Sequence, residues 1–233
     1  GQGVDTIAQQ IVSDVTGLKD IKIDVISSTA SEIIGGTTTA SRGTFLLGNA
    51  LIMAAEKLKR DLESKKLSEL IGRKYKGKWL CDWTTRPGKD VDNPQTHFAY
   101  GYAAQLVVLD DQGNVAKVVA AHDAGRVMYP TMFEGQIEGA VVMGLGYAFT
   151  EKLELSGGYL KSSKMAKLGL PKISAMPEIV VKAIEVKDPQ GPFGAKGVGE
   201  IGLVPTAPAA INALYQFDGI RRYELPIGRR IRK

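Results

Sequence analysis

The 233-residue sequence holds a single cysteine, Cys81, and only two histidines, His97 and His122. One thiol excludes an internal disulfide, an iron–sulfur cluster ligated by this chain alone and a cysteine-rich zinc site. The two histidines lie apart in sequence and form no spaced ligand set, so no protein-ligated metal is expected. No apolar run approaches the roughly 20 residues a membrane-spanning helix needs. The first twenty residues are polar and mixed, unlike a secretory signal. A cytoplasmic location away from membranes is therefore expected. An initiator methionine is also missing. The chain opens on Gly1-Gln2-Gly3, which reads as a turn within a longer polypeptide, and we expect a piece of such a polypeptide.

What is present is ordinary globular composition, 44% hydrophobic and 24% charged. It is enough for one substantial core or two small lobes. The formal net charge is +5, with part of the excess in Arg221, Arg222, Arg229, Arg230, Arg232 and Lys233. A basic tail can bind nucleic acid. No aromatic platform or reader motif accompanies this one, so no nucleic-acid partner is expected.

Periodicity predicts a helix over residues 5–15, capped by Asp5 and closed by Gly17, with Ile7, Ile11 and Val15 on one stripe. Alternation predicts a strand over residues 21–25. A Thr-, Ser- and Gly-rich loop over residues 35–43 feeds a helix over residues 44–63 that faces Leu47, Leu51, Ala54 and Leu58 one way. Residues 64–94 are charged and irregular, with Trp79 and Trp83 as isolated anchors, and suit a boundary between lobes. A hairpin is expected from residues 105–109 and 115–121 around the turn 110–114. A helix over residues 131–149 carries Phe133, Ile137, Val141 and Leu145 on one face, while Gly135, Gly139 and Gly146 admit close backbone approach. A strand over residues 179–186, a Gly-rich loop over residues 191–202 and a helix over residues 205–216 complete the chain. Strands and helices interleave irregularly, which indicates an α+β fold.

Three stretches can carry chemistry. The first is Gly191-Pro192-Phe193-Gly194-Ala195-Lys196-Gly197-Val198-Gly199-Glu200. Its glycines let backbone press against a bulky ligand and aim N–H groups at it. It ends in one carboxylate flanked by Ile201 and Leu203, and an apolar setting would make that group a better base near neutral pH. A phosphate loop and a plain structural turn both fit the pattern, although the Lys-Ser/Thr ending of a Walker A loop is absent. The second is His122-Asp123-Ala124-Gly125-Arg126 with Pro130 and Glu134-Gly135-Gln136-Ile137-Glu138-Gly139. There Gln136 can both donate to and accept from a heterocycle, or Gln136 and Glu138 are ordinary surface residues. His122 reads as a structural histidine. The third comprises Gly1-Gln2-Gly3 and Thr37-Thr38-Thr39-Ala40-Ser41-Arg42-Gly43, each placing donors ahead of a helix, where anions bind. Simple capping by Asp5 and Ser41 explains them equally well.

Taken in order along the chain, these stretches resemble the molybdopterin-binding catalytic subunit of the xanthine dehydrogenase and aldehyde oxidase family of molybdenum hydroxylases. The likeness is to its C-terminal part, and most of all to bacterial xanthine dehydrogenases. It rests on Gly1-Gln2-Gly3, Thr39-Ala40-Ser41-Arg42, Asp123-Ala124-Gly125-Arg126 with Pro130, Gly135-Gln136-Ile137-Glu138-Gly139 running to Gly144-Leu145-Gly146, and Gly194-Ala195-Lys196-Gly197-Val198-Gly199-Glu200. The resemblance implies two-layer α/β lobes with mixed sheets, of the molybdenum cofactor-binding type: a first cofactor-binding lobe over residues 1–75 and a second over residues 76–233 carrying the glutamate loop.

It also implies molybdopterin, or its cytosine dinucleotide form, whose dithiolene rather than any side chain holds the molybdenum. By resemblance, Gln2 with Gly3 and Gln136 contact the pterin or the ligands of the metal. Ala40, Ser41, Arg42 and Gly43 hold the pterin and its phosphate or nucleotide tail, Lys196, Gly197, Val198 and Gly199 line the cofactor, and Glu200 is the base. The implied reaction is hydroxylation of an electron-poor carbon with water as oxygen source. Xanthine or hypoxanthine is the first substrate expected, with nicotinate-like rings and aldehydes next. The competing class is a non-catalytic cofactor-binding scaffold domain, against which the intact Gly197-Val198-Gly199-Glu200 ending speaks. The implied partners are the N-terminal half of the catalytic subunit, and iron–sulfur and FAD domains or subunits that take the electrons. Ile201-Gly202 stands where many relatives have prolines, a departure that bears on substrate identity. Without those partners the isolated chain is expected to be inactive and to lack cofactor.

Overall fold

Residues 2–19, 22–26, 28–31, 33 and 35–231 are described by a computed structural model. Gly1, Ile21, Arg232 and Lys233, which carry expectations above, lie outside the described residues. The chain forms two units, each assembled from separated stretches. One takes residues 1–101, 124–132 and 185–199, and the other takes residues 102–123, 133–184 and 200–233. The division expected at residues 75/76 does not follow these units. The first break comes at 101/102, because Trp79 and Trp83 are not isolated anchors. Both rings pack edge-on against Phe45, with centroids 5.7 Å and 6.5 Å away, and Phe98 adds a third contact at 5.1 Å. Phe45 is fully buried, so the irregular segment is tied to the first unit by aromatic packing.

In the first unit, helix α1 (Val4–Thr16) buries Ala8, Ile11 and Val15. Its N-cap is Gly3 rather than Asp5, which sits inside the first turn where a negative charge suits the helix dipole. Gly17 closes α1 in a left-handed conformation, its N–H donating to the Ser13 carbonyl at 2.8 Å. No strand forms over residues 22–25. The second helix opens with a wide π-type turn (Gly43–Leu47) before α2 (Gly48–Leu62). That turn shifts the helical phase, so the buried side is Phe45, Gly48 and Ala55, while Leu47 is exposed.

In the second unit, strands β1 (Ala103–Leu109) and β2 (Val115–Asp123) form the expected hairpin. Helix α3 (Pro130–Phe149) opens on a proline, the residue best tolerated at a first helical position. A two-residue hairpin, β3 (Leu155–Ser156) and β4 (Tyr159–Leu160), follows, and then β5 (Glu178–Ile184) and α4 (Thr206–Asp218). The sheet order is β1-β2-β5, antiparallel on one side of β2 and parallel on the other, a mixed sheet in an α+β fold. Joining parallel strands requires a long crossover, and α3 lies within it.

The face of α3 carrying Phe133, Ile137, Val141 and Leu145 is buried as the period predicts. Close approach on α3 occurs at Gly144, against the Thr206 side chain, and at Gly146, against Glu151 and Pro171; space beside Gly135 and Gly139 is open. Several tail cations are engaged locally. Arg221 stacks 3.6 Å over the Tyr215 ring, Arg222 pairs with Asp218, and Arg229 donates to the Gln112 carbonyl at 2.8 Å. Among the described residues no helix is long and apolar enough to cross a membrane. Leu145 is fully buried, so Leu145→Ala is expected to destabilise the fold by about 2–5 kcal/mol. Urea unfolding of the complete protein checks this, and an unchanged midpoint would remove Leu145 from the core.

Candidate cofactor site

The turn Thr39-Ala40-Ser41-Arg42 is closed by the Arg42 N–H donating to the Thr39 carbonyl at 3.2 Å. Ala40 and Ser41 both have φ of 51°. Side chains with a Cβ rarely occupy that region, at a cost of roughly 1–2 kcal/mol per residue. Such strain persists only where surroundings enforce it and gathers at ligand clamps and active sites. Ser41 is therefore not a helix cap: the residue ahead of the π-type turn is Arg42, without a side-chain capping bond.

Contacts to three other stretches of the chain surround this turn among the described residues. Arg42 Nε donates to the Thr37 carbonyl at 2.6 Å, using one of the guanidinium's five donors. Gly43 lies against Val4, which would stand 3.3 Å from a Cβ at that position, so the starts of α1 and of the π-type turn are neighbours. Beneath Ser41 runs the distant Gly-rich loop. A Cβ on Gly197 would stand 1.6 Å from the Ser41 carbonyl oxygen, and one on Gly199 would stand 3.1 Å from Ser41 Oγ. Only a residue without a side chain permits the first approach. Ser41 is thus brought onto Gly197 and Gly199, with Ala40, Arg42 and Gly43 its neighbours in sequence and Val198 lying between the two glycines, while Gly3, packed on Met132, opens α1 after exposed Gln2.

The Gly-rich loop is itself stitched to the Asp-Ala-Gly-Arg stretch. The Lys196 N–H donates to the Ala124 carbonyl at 2.9 Å, the Arg126 N–H donates to the Gly194 carbonyl at 3.0 Å, and Gly125 bridges Ala195. Arg126 also pairs with Asp14 at 3.3 Å and lies 5.2 Å over the Phe193 ring. Its role is to clamp the loop, which sequence alone left unassigned. Phe193 has φ of 54°, a further strained position in the same loop. Successive backbone N–H groups around left-handed residues form concavities that suit anions. Ser41 Oγ lies at the same contact, 3.1 Å from where a Cβ on Gly199 would stand. This donor set fits a bulky cofactor with an anionic tail.

The other two predicted residues, Gln136 and Glu200, belong to the second unit. Gln136 is half-buried on α3 beside exposed Gly135, with exposed Gly139 a turn later. Nothing lies within 4 Å of where either glycine's Cβ would stand, so a flat group can approach the backbone next to the amide. Glu200 is exposed, so the apolar surroundings expected for it are not supplied by its neighbours in this chain. It begins a turn pressed on α3: a Cβ on Gly202 would stand 2.6 Å from Ala140 Cβ and 3.3 Å from Ile137 Cδ1. The Gly202 carbonyl accepts from Gln105 Nε2 at 2.8 Å and from Thr206 Oγ1 at 3.1 Å. Sequence reading did not single out Gln105, because one polar residue in an alternating strand carries no signal.

His122 is fully buried, and burial pushes its imidazolium down from the ordinary value. Its Nε2 lies 3.1 Å from Gln105 Nε2. Among the described residues no group of three or more His, Cys, Asp or Glu could hold a metal ion.

Comparison with known proteins identifies the family of the chain. A family model described as "Molybdopterin cofactor-binding domain" matches residues 1–73 and 68–177. The chain is 32% identical to the 6-hydroxypseudooxynicotine dehydrogenase complex subunit gamma of Paenarthrobacter nicotinovorans, over 97% of this chain and 34% of that protein. It is 30% identical to a probable xanthine dehydrogenase subunit of Bacillus subtilis (strain 168), over 98% of this chain and 35% of that protein. The aldehyde oxidoreductase structure from Desulfovibrio gigas superposes with a TM-score of 0.86 at 26% identity, covering 97% of this chain and 27% of that one. The chain thus spans about a third of the length of the curated relatives it matches. With the family model covering most of the sequence, the chain belongs to the molybdopterin cofactor-binding domain family.

Proposed function

We propose that this chain is the C-terminal, cofactor-holding portion of a molybdenum hydroxylase catalytic subunit that hydroxylates a purine-like N-heterocycle, xanthine or hypoxanthine, with water as oxygen source. The observation that carries the reading is the packing of the strained Ala40–Ser41 turn on Gly197 and Gly199, immediately before the carboxylate of Glu200. When bound, the cofactor supplies the two-electron oxidation.

The chain's own residues hold and orient. Backbone and hydroxyl donors of Ala40, Ser41, Arg42 and Gly43 take the phosphate-bearing end, with Lys196, Gly197, Val198 and Gly199 alongside. Gln2, next to Gly3, and Gln136 offer amides that both donate and accept. Glu200 accepts the proton of the attacking hydroxyl through a carboxylate oxygen, as a positioned general base. Burial of that carboxylate comes from the remainder of the catalytic subunit, which with iron–sulfur and FAD domains or subunits makes up the partners. The location is cytoplasmic and the role lies in purine metabolism.

A pyridine-type substrate is the second reading, favoured by the name of the P. nicotinovorans relative. The test is turnover of hypoxanthine, nicotinate and benzaldehyde by the complete protein, with molybdenum and pterin content measured. Oxygen from labelled water should appear in hydroxylated hypoxanthine. Turnover of nicotinate alone selects the second reading. A metal-loaded protein inert to all three overturns the hydroxylase assignment.

A further inference from the structure

We infer that Gln105 is a positioning residue for Glu200: its side-chain amide, its orientation reinforced by His122, holds the Gly202 carbonyl and with it the turn that carries the carboxylate. The inference rests on the reading of Glu200 as the base.

Glu200 opens a turn outside any helix or strand, running to the start of α4. No ladder of backbone bonds sets its position, so a few contacts must. Within the turn the Leu203 N–H donates to the Glu200 carbonyl and the Thr206 N–H to the Leu203 carbonyl, each at 3.2 Å. Two residues beyond the carboxylate, Gly202 lies against α3, and its carbonyl accepts from Gln105 and from fully buried Thr206. Gln105 reaches it from β1, 97 residues away in sequence. The turn is therefore pinned to the sheet as well as to the helix.

The orientation of the Gln105 amide decides whether this pin exists. With its NH2 group toward Gly202, one hydrogen serves the carbonyl; reversed, Oε1 would oppose another acceptor. The Gly202 carbonyl, which can only accept, favours that choice, and His122 in its Nδ1–H tautomer reinforces it. Gln105 pairs with Ala120 across the hairpin, and His122 stands two residues on, on the same face of the sheet. The second amide hydrogen points at His122 Nε2, so Nε2 accepts and the ring proton sits on Nδ1, a tautomer assigned from this geometry. Both residues are held at a cost, since His122 Nδ1 and Gln105 Oε1 are buried with no partner among the described residues. Apolar side chains would fill the same space without that cost. What the polar pair adds is a fixed direction for one amide.

The test is made in the complete metal-loaded protein. Gln105→Met keeps length and removes both donors. The expected result is unchanged molybdenum content, kcat lower by roughly ten- to a hundredfold, as misplacing a reacting group by about 1 Å does, and KM within about threefold. Amide hydrogen exchange over residues 199–206 should quicken. His122→Leu should reproduce this, whereas His122→Gln, which keeps an acceptor near Nε2, should remain within about threefold of the parent. In a Glu200→Gln background, Gln105→Met should cost nothing further, because the two act as one unit. A parental kcat in Gln105→Met, or an additive loss in the double variant, overturns the inference while leaving Glu200 in place. Parental turnover in Glu200→Gln alone instead removes the base assignment itself.

Discussion

Glu200→Gln in the complete protein is expected to lower hydroxylation turnover by roughly a hundredfold or more while molybdenum stays bound. The substitution keeps size and hydrogen-bonding reach but abolishes the ability to take a proton. It should leave the fold largely untouched, since Glu200 is exposed and its backbone carbonyl, which accepts from the Leu203 N–H, is unchanged. The loss should fall on kcat, because a base acts in the transition state and contributes little to ground-state binding. Steady-state kinetics with metal analysis on the same preparations check this. Near-parental turnover in the metal-loaded variant places the base elsewhere. Loss of metal together with activity makes Glu200 a cofactor contact instead.

Gly197→Ala is expected to empty the site rather than disable its chemistry. The new methyl would stand 1.6 Å from the Ser41 carbonyl oxygen, and the obstacle is backbone, so no flexible side chain can give way. Either the Gly-rich loop or the strained turn must move. Overpacking of this kind costs about 1–3 kcal/mol, enough to shift a local equilibrium by roughly five- to a hundredfold. Because Ala40 and Ser41 are already held in a disfavoured conformation, the turn is where the distortion should be relieved. Molybdenum and pterin content should fall together, with a modest drop in melting temperature. Gly35→Ala is the control: its Cβ would meet nothing within 4 Å, so cofactor content and melting should match the parent. A full cofactor complement in Gly197→Ala shows that the contact between loop and turn does not shape the cofactor site.

Much of the architecture was legible in the chain. The hairpin of β1 and β2, the buried face of α3 and the C-terminal α4 follow from alternation, 3.6-residue spacing and turn residues, which are local properties. Gly17 was readable as a helix stop for the same reason. Errors arose where tertiary contacts override local signals. Asp5 lost the cap to Gly3, and the π-type turn ahead of α2 exchanged Leu47 for Phe45 and Gly48 on the buried side. Trp79 and Trp83 read as anchors of a boundary, but their partner Phe45 lies more than thirty residues earlier.

For the candidate site, the sequence by itself determined which glycines, hydroxyls, amides and carboxylate are available, and their order was enough to carry the family resemblance. The absence of a cysteine and histidine ligand set was equally plain from composition. Only the tertiary structure decided that Ser41 and Gly197 touch, that Ala40 and Ser41 are strained, and that Gln105 and His122 stand behind the Glu200 turn. The physical reason is that residue type and spacing report interactions within a few positions along the chain. A hydrogen bond across 97 residues, or a contact beneath a distant carbonyl too close to admit a methyl, exists only once the packing of the whole unit is set.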